Sequence, residues 1–401
     1  MRPYENRRVL LGISGGIASY KAAWLARLLT KAGAQVDVVM TPAATEFVGP
    51  VTFEALTGRP VHTGLFDPGR ALDHIKLARE ADIIVIAPAT ADFMARAATG
   101  QAGDLLTACL LAAACPVLLV PAMNDHMWAH PQTRRNADHL REIGYTLLPP
   151  DEGMLAAGEG SGPGRMPEPE TIFAHAGRLL EKSGSLAGKR VLVTAGPTRE
   201  SIDPVRFISN HSSGKMGVAL AAAAWRRGAM VDLVAGPLSV SAPIGVDLHQ
   251  VESTQDMADA VGSRLPRADV LVMAAAPADF RPSSRAETKI KKGKAPDAIA
   301  LSATPDILAA TKSARSSGSV IVGFALETDD VLAHARAKLA SKELDFIVVN
   351  DATEAGAGFG VDTNRVSIIA RDGSEERLPL MSKPDVADAI LDRVEVLLRG
   401  R

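Results

Sequence analysis

The sequence predicts an α/β protein made of two doubly wound parallel sheets, Rossmann-like or flavodoxin-like, each covered by helices on both faces. Apolar β-rich runs alternate with Ala/Leu-rich helical stretches along the whole chain, the rhythm of strand–helix–strand units. A strand running into a glycine turn and then a helix begins twice, at RRVLLGISGG and again at KRVLVTAGPT. A buried strand followed by a small-residue loop ending in Ala-Asp-Phe also occurs twice, as ADIIVIAPATADF (81–93) and ADVLVMAAAPADF (268–280). At roughly 150 residues per domain, 401 residues predict about two to three domains. The polar, Gly-containing KSGSLAGK (182–189) reads as the linker, and a cut near Gly184 gives domains 1–183 and 184–401.

In the first domain RRVLLGIS is a strand, SGG a tight turn, and IASYKAAWLARLLTKAG a helix closed by Gly33 before the strand AQVDVVMT. LDHIKLA places His74 before a helix. Leu105 to Met123 is an uncharged run long enough in principle to cross a bilayer. Pro116 would break a spanning helix, so the run divides into an Ala-rich helix ending near Ala114 and a buried strand CPVLLVPAM. A Leu-rich helix at 171–181 reads as part of the linker, together with the polar segment that follows it. In the second domain KRVLVTAGPT is a strand, GKMGVALAAAAWRRGA a helix and MVDLVAGP the next strand.

Composition narrows the function classes. With 47% hydrophobic and 22% charged residues the chain can bury enough apolar surface to offset chain entropy, which excludes a disordered protein. Forty-four Lys plus Arg against 46 Asp plus Glu remove the footprint of a nucleic-acid-coating protein. The two cysteines, Cys109 and Cys115, lie in an apolar stretch and read as buried free thiols of a reducing compartment. The N-terminus has no signal-peptide pattern, so the expected address is the cytoplasm, with no membrane insertion.

In the first domain, Gly12, Gly15 and Gly16 let the backbone turn tightly and approach a ligand, and the following helix N-terminus attracts phosphate. The turn is not the Gly-x-Gly-x-x-Gly dinucleotide fingerprint, and a purely structural turn is its bland reading. Its company is informative: His74, Thr90 in APATADF, and Asn124 just beyond a buried strand. In the second domain, RVLVTAGPTRESIDPVRFISNHSSGKMG (190–217) is dense in glycine, hydroxyl and basic side chains after a buried strand, as phosphate binding requires, but lacks the Walker A order. Lys289, Lys291, Lys292 and Lys294 crowd one segment, and Lys338 and Lys342 stand at i,i+4 spacing; a solvated basic face is the alternative for an isolated run.

The first half resembles the flavin-dependent cysteine decarboxylases, whose lone His corresponds to His74 and whose Pro-x-Met-Asn-x-x-Met-Trp motif stands intact from Pro121 to Trp128. The second half resembles the phosphopantothenate-cysteine ligases through TAGPTRE, IDPVRFISNHSSGKMG, MAAAPADF, KIKK, TPDIL, GFALET and KLASKELDFIVVND in that order. Together they are similar to the bacterial bifunctional family of coenzyme A biosynthesis. The resemblance implies that CTP converts 4'-phosphopantothenate to an acyl-cytidylate, releasing pyrophosphate, and that L-cysteine then displaces CMP. It further implies an FMN-dependent decarboxylation to 4'-phosphopantetheine, with FMN taking up and returning the electrons.

By the same resemblance Ser14, Gly15, Gly16, Thr41 and Thr90 hold FMN, His74 is the acid/base group of the oxidation, and Asn124 binds the substrate carboxylate, with Met123, Arg165 and Met166 beside it. In the ligase half Lys289, Lys291, Lys292, Lys338 and Lys342 neutralise phosphate charge, and Asn210 holds the acyl-cytidylate with Arg206 in support. Asp279 meets ribose hydroxyls or Mg²⁺, Ala278 and Phe280 read cytosine through backbone groups, and Phe324 lies at the substrate.

The family's clamp segment carries a cysteine that donates a proton to the enethiolate, and GMLAAGEGSGPGRM has Ala157 there. A methyl group cannot donate a proton, so the final reduction is expected to slow. An engineered change, a variant using Glu159 or water as acid, a half that only binds FMN, or a shifted alignment each accounts for it. A flavin-binding assembly or regulatory module is the competing class, distinguished by the absence of turnover; a prenyl-flavin synthase or peptide-cysteine decarboxylase fits the ligase half poorly, and a dehydrogenase lacks its fingerprint. The family implies homo-oligomers, trimers of the first half and dimers of the second, giving a dodecamer.

Overall fold

Val9, Leu10, Leu11 and Ile13 are buried on both faces of the strand Arg8–Ile13, as a parallel strand sandwiched between helices must be. The protein is described by a computed structural model, which covers every residue except 1, 67–70, 157, 159, 182–185, 292–297, 328–330 and 352–359, and the backbone alone at 326, 327, 331–333 and 351. The chain divides into two compact units, Met1–Glu181 and Lys182–Arg401.

The first unit holds a parallel sheet of strands Arg8–Ile13, Gln35–Met40, Val61–His62, Ile83–Ala89, Val117–Pro121 and Thr146–Leu147. Numbered along the chain, they lie in the order 3-2-1-4-5-6. That is the Rossmann order, and it decides between the two expected arrangements. One face packs on the helix Ser19–Lys31 through Ala22, Leu25, Ala26 and Leu29, with Tyr4, Phe53 and Ile172. The other is covered by Phe93, Met94, Leu106, Cys109 and Trp128.

The second unit repeats the plan. Strands Arg190–Ala195, Met230–Ala235, Asp247–Gln250, Val270–Met273, Val320–Glu327 and Phe346–Asp351 are parallel and again lie in the order 3-2-1-4-5-6. Val366–Ala370 and Glu375–Arg377 extend the sheet antiparallel. The helix Lys215–Arg226 lies beside Lys383–Arg399, and Arg227, only 4% exposed, meets Asp388 at 2.8 Å and Asp392 and Glu395 at 2.9 Å.

Some elements differ from expectation. The Ala-rich helix spans Leu105–Leu111 and stops before Ala114; no helix among the described residues is long and apolar enough to cross a membrane. His74 lies inside the first turn of Asp73–Glu80 rather than before it. The repeated Ala-Asp-Phe follows the fourth strand of each sheet but diverges afterwards. In the first unit it opens the helix Ala91–Ala98, capped by Thr90. In the second, Phe280–Pro282 pairs with Leu301–Ala303 as an antiparallel hairpin. A further hairpin, Arg199–Ser201 with Phe207–Ser209, also separates the first strand of that sheet from its helix. Both cysteines are free; burial pushes the Cys109 thiol up to about 12 and raises that of half-buried Cys115.

Gly236 follows the second strand of the second sheet, where a Cβ would stand 1.8 Å from the Pro197 carbonyl oxygen. Gly236→Ala must therefore move backbone, and it is expected to destabilise the unit by about 1–3 kcal/mol in denaturant unfolding. Gly262→Ala, inside Thr254–Arg264 and meeting only Thr311 Cγ2 at 3.7 Å, is expected to add up to about 1 kcal/mol in the same measurement.

Candidate functional site

In a sheet ordered 3-2-1-4-5-6 the chain leaves strands 1 and 4 toward opposite faces, and the crevice between the two loops is the natural ligand site. In the first unit those loops are Ser14–Gly16 and Thr90–Asp92, and they open a cleft of about 880 Å³. Ser14, Gly15, Gly16, Thr41, Thr90, Met123, Asn124, Arg165 and Met166 all line it, so the structure brings the nine together.

Ser14 is buried, its Oγ donating to the Pro88 carbonyl at 2.8 Å and accepting from the Thr90 N–H at 2.9 Å, which ties the two loops. Thr41 and Thr90 cap the helices Pro42–Thr45 and Ala91–Ala98. A Cβ on Gly15 would stand 2.4 Å from Ala43 Cβ, so only glycine lets this turn close on the second strand's loop. Asn124 caps Asp125–Ala129, its Oδ1 accepting from the His126 N–H at 2.9 Å.

The far wall is the hairpin Asp151–Met154/Ser161–Arg165. Gly164 accepts a hydrogen bond from Met123 N–H at 3.0 Å, and a Cβ there would lie 2.2 Å from the Met123 carbonyl oxygen. Lys21 donates to the Met166 carbonyl at 2.9 Å and to Glu168 at 3.0 Å, and Glu168 also receives Arg165. Lys21, Arg96 and Asp104 line the cleft and were not singled out by sequence reasoning. Lys21 did leave a signal: it continues the buried row Leu25 and Leu29 at spacing four, where a charged residue needs a specific partner.

Arg96 binds both Asp92 and Asp104, and Asp104 forms a capping box with Thr107. Burial alone would raise the Asp104 pKa, but the Arg96 and Thr107 hydrogen bonds hold it below the usual carboxylate range. His74 does not line this cleft; among the described residues its buried Nδ1 has no hydrogen-bond partner. Ala157 and Glu159 lie outside the described residues.

In the second unit Pro197 and Ala276 bridge the corresponding loops. Asn210 donates to the Pro277 carbonyl at 2.9 Å, which places it beside Ala278, Asp279 and Phe280. The Ala278 N–H donates to Thr198 Oγ1 at 2.9 Å, and its carbonyl accepts from Thr254 at 3.2 Å and Thr304 at 2.6 Å. Side-chain hydroxyls thus already occupy the Ala278 backbone groups, two of those expected to read cytosine, whereas Asp279 and Phe280 are exposed.

Arg206 bonds Asp203 at 2.9 Å and the Ile290 carbonyl at 3.1 Å, between exposed Lys289 and Lys291. Lys338 donates to the Phe324 carbonyl at 3.1 Å, and Lys342, just beyond Val331–Ser341, pairs with Asp306. Lys292 and Lys294 lie outside the described residues. Among the described residues the one metal-type grouping is Asp232, Asp247 and His249, without Asp279. Arg190 occupies Asp232 at 3.0 Å and Arg264 contacts His249 Nδ1, so the grouping reads as an ion-paired cluster shared by the edge strand and its inner neighbour.

Residues 1–180 match the family described as Flavoprotein, and 186–397 match the DNA/pantothenate metabolism flavoprotein C-terminal domain. The coenzyme A biosynthesis bifunctional protein CoaBC of Mycobacterium tuberculosis is 50% identical over 98% of this chain and 97% of its own. The chain belongs to this family. Members of the same name from Bacillus subtilis and Vibrio cholerae are 47% and 45% identical, each covering 98% of both chains. A crystal structure of the C-terminal domain of a CoaBC protein is 40% identical over 54% of this chain and all of that one, with a TM-score of 0.47.

Asp104→Asn keeps a good helix cap but removes the charge paired with Arg96. Because the folded pKa of Asp104 is depressed, its contribution is present above the unfolded value near 3.9 and lost as pH falls through the folded value. Urea unfolding of wild type and variant is expected to differ at pH 7 and to converge once Asp104 is protonated.

Proposed function

We propose that the protein makes 4'-phosphopantetheine in two reactions of coenzyme A biosynthesis, with residues 184–401 as the CTP-dependent ligase domain and 1–183 as the FMN-dependent decarboxylase domain. The observation that carries this reading is the recurrence of one crevice in both units, each built from the segments that carry that family's motifs.

In the ligase crevice the 4'-phosphopantothenate carboxylate attacks the α-phosphorus of CTP and pyrophosphate leaves. The cysteine amine then attacks the acyl carbon and CMP leaves. Lys289, Lys291, Lys292, Lys338 and Lys342 offset the phosphate charge, and Asn210, held on the Pro277 carbonyl, supports the acyl-cytidylate with Arg206 alongside. Asp279, the exposed carboxylate of the loop, suits Mg²⁺, which is bound by few carboxylates together with substrate phosphates. With the Ala278 groups engaged, base reading falls to Phe280.

The first cleft fits FMN: its volume of about 880 Å³ suits a bound cofactor, Gly15 and Gly16 allow close backbone approach, and Ile17, Met123, Met127 and Met154 offer apolar surface to a ring. Bound FMN supplies the electron acceptor and donor that let the cysteinyl carboxylate depart as CO₂. Asn124 binds that carboxylate and Arg165 and Met166 flank the substrate, while His74 moves the proton of the oxidation. The position of His74 outside the cleft of its own chain supports a site completed by a second copy, within a cytoplasmic homo-oligomer of trimers and dimers forming a dodecamer.

The test is mass spectrometry of products from purified, FMN-loaded protein with 4'-phosphopantothenate, cysteine, CTP and Mg²⁺. 4'-Phosphopantetheine is expected, with its formation accelerated relative to CO₂ release in Ala157→Cys. Absence of phosphopantothenoylcysteine and of all later products would refute the ligase assignment; FMN binding with no CO₂ release would make the first unit a binding module.

A further inference from the structure

Asp203 is the most densely bonded carboxylate around the second crevice, and its side chain is fully buried. It sits in the turn of the hairpin Arg199–Ser201/Phe207–Ser209. One oxygen accepts from the Val205 N–H at 2.7 Å and the Arg206 N–H at 2.9 Å. The other accepts from the Arg206 guanidinium at 2.9 Å and, across 87 residues of chain, from the Ile290 N–H at 3.1 Å. Arg206 in turn donates to the Ile290 carbonyl at 3.1 Å, so the Asp203–Arg206 pair grips Ile290 by both of its backbone polar groups. Ala286 N–H adds a bond to the Ile202 carbonyl at 2.9 Å.

We infer that Asp203 is a positioning residue that fixes Lys289 and Lys291 relative to the Ala278–Phe280 loop. Ile290 is half-buried, and the lysines on either side of it are exposed. Long ammonium side chains on a surface segment carry a large rotational entropy, and aiming them at one charge requires that their backbone be held. The hairpin that supplies Asp203 ends next to Asn210, which is bonded to Pro277. A single supersecondary unit therefore sets the distance between the group assigned to the acyl intermediate and those assigned to the phosphates. Burial would by itself raise the Asp203 pKa, but the three backbone donors and Arg206 hold it below the ordinary range, so the grip persists through neutral pH.

The inference rests on the ligase reading, and the experiment separates the two. Asp203→Asn, Lys289→Ala and the double variant are compared in the full-length protein by steady-state ligation and by hydrogen exchange of the peptide spanning 286–291. Asp203→Asn keeps the volume but turns one acceptor into a donor facing an N–H. It is expected to raise KM for CTP about tenfold, as Lys289→Ala does, with KM for cysteine within about twofold of wild type. The double variant is expected to be no worse than either single one, and exchange over 286–291 to rise in Asp203→Asn. Should Asp203→Asn fail to fold, Arg206→Met removes the other half of the grip, and exchange over 286–291 is expected to rise in it; unchanged exchange there would overturn the inference.

The inference is overturned if Lys289→Ala is impaired while Asp203→Asn behaves as wild type, if the two losses multiply, or if all three substrates are affected alike. If Lys289→Ala itself ligates normally, the assignment of Lys289 falls, and the positioning role falls with it.

Discussion

Right-handed crossovers between parallel strands are the constraint on which both halves of this protein depend. Given that handedness, a sheet that grows first to one side and then to the other must send consecutive helices to opposite faces, and the loops at the reversal part. The nine residues lining the first cleft stand at one parting, and Asn210, bonded to Pro277, stands at the other. The first is held shut at its base by Ser14, which bonds Pro88 and Thr90, and the second by the bridge between Pro197 and Ala276.

Beyond the fourth strand the two copies of this frame diverge. Where Ala91, Asp92 and Phe93 continue directly into a helix, one wall of the crevice is a capped helix end, open enough for a flat apolar ligand. Where Phe280–Pro282 turns instead into an antiparallel hairpin, the loop leading into it is stitched at Ala278 by Thr198, Thr254 and Thr304. Hairpins bring distant segments side by side with many polar contacts, as a reaction between separately bound substrates demands.

Much of the fold was legible because parallel strands buried on both faces are written as uninterrupted Val, Ile and Leu runs. The repeated Ala-Asp-Phe reads as a loop after a buried strand, and in both sheets that strand is the fourth; the nine residues assigned to the first cleft meet there. What local pattern could not carry was long-range pairing. The short hairpins are too brief and too polar for a period-two signal; Asp151–Met154 reads DEGM and Ser161–Arg165 reads SGPGR. Asp203 leaves no local signal in the sequence, because its decisive partner, Ile290, lies 87 residues away. Lys338 and Lys342 were joined by spacing, yet they take separate partners in Phe324 and Asp306.

The two cysteines acquire a meaning in this setting that packing alone does not give them. A protein that condenses free cysteine and releases a thiol works among small sulfhydryl compounds, any of which can enter thiol–disulfide exchange with an accessible thiolate. Cys109, buried with its pKa pushed up to about 12, and Cys115, raised in the same direction, stay protonated at neutral pH. Their burial keeps the protein's own sulfur chemically silent toward the sulfur it processes.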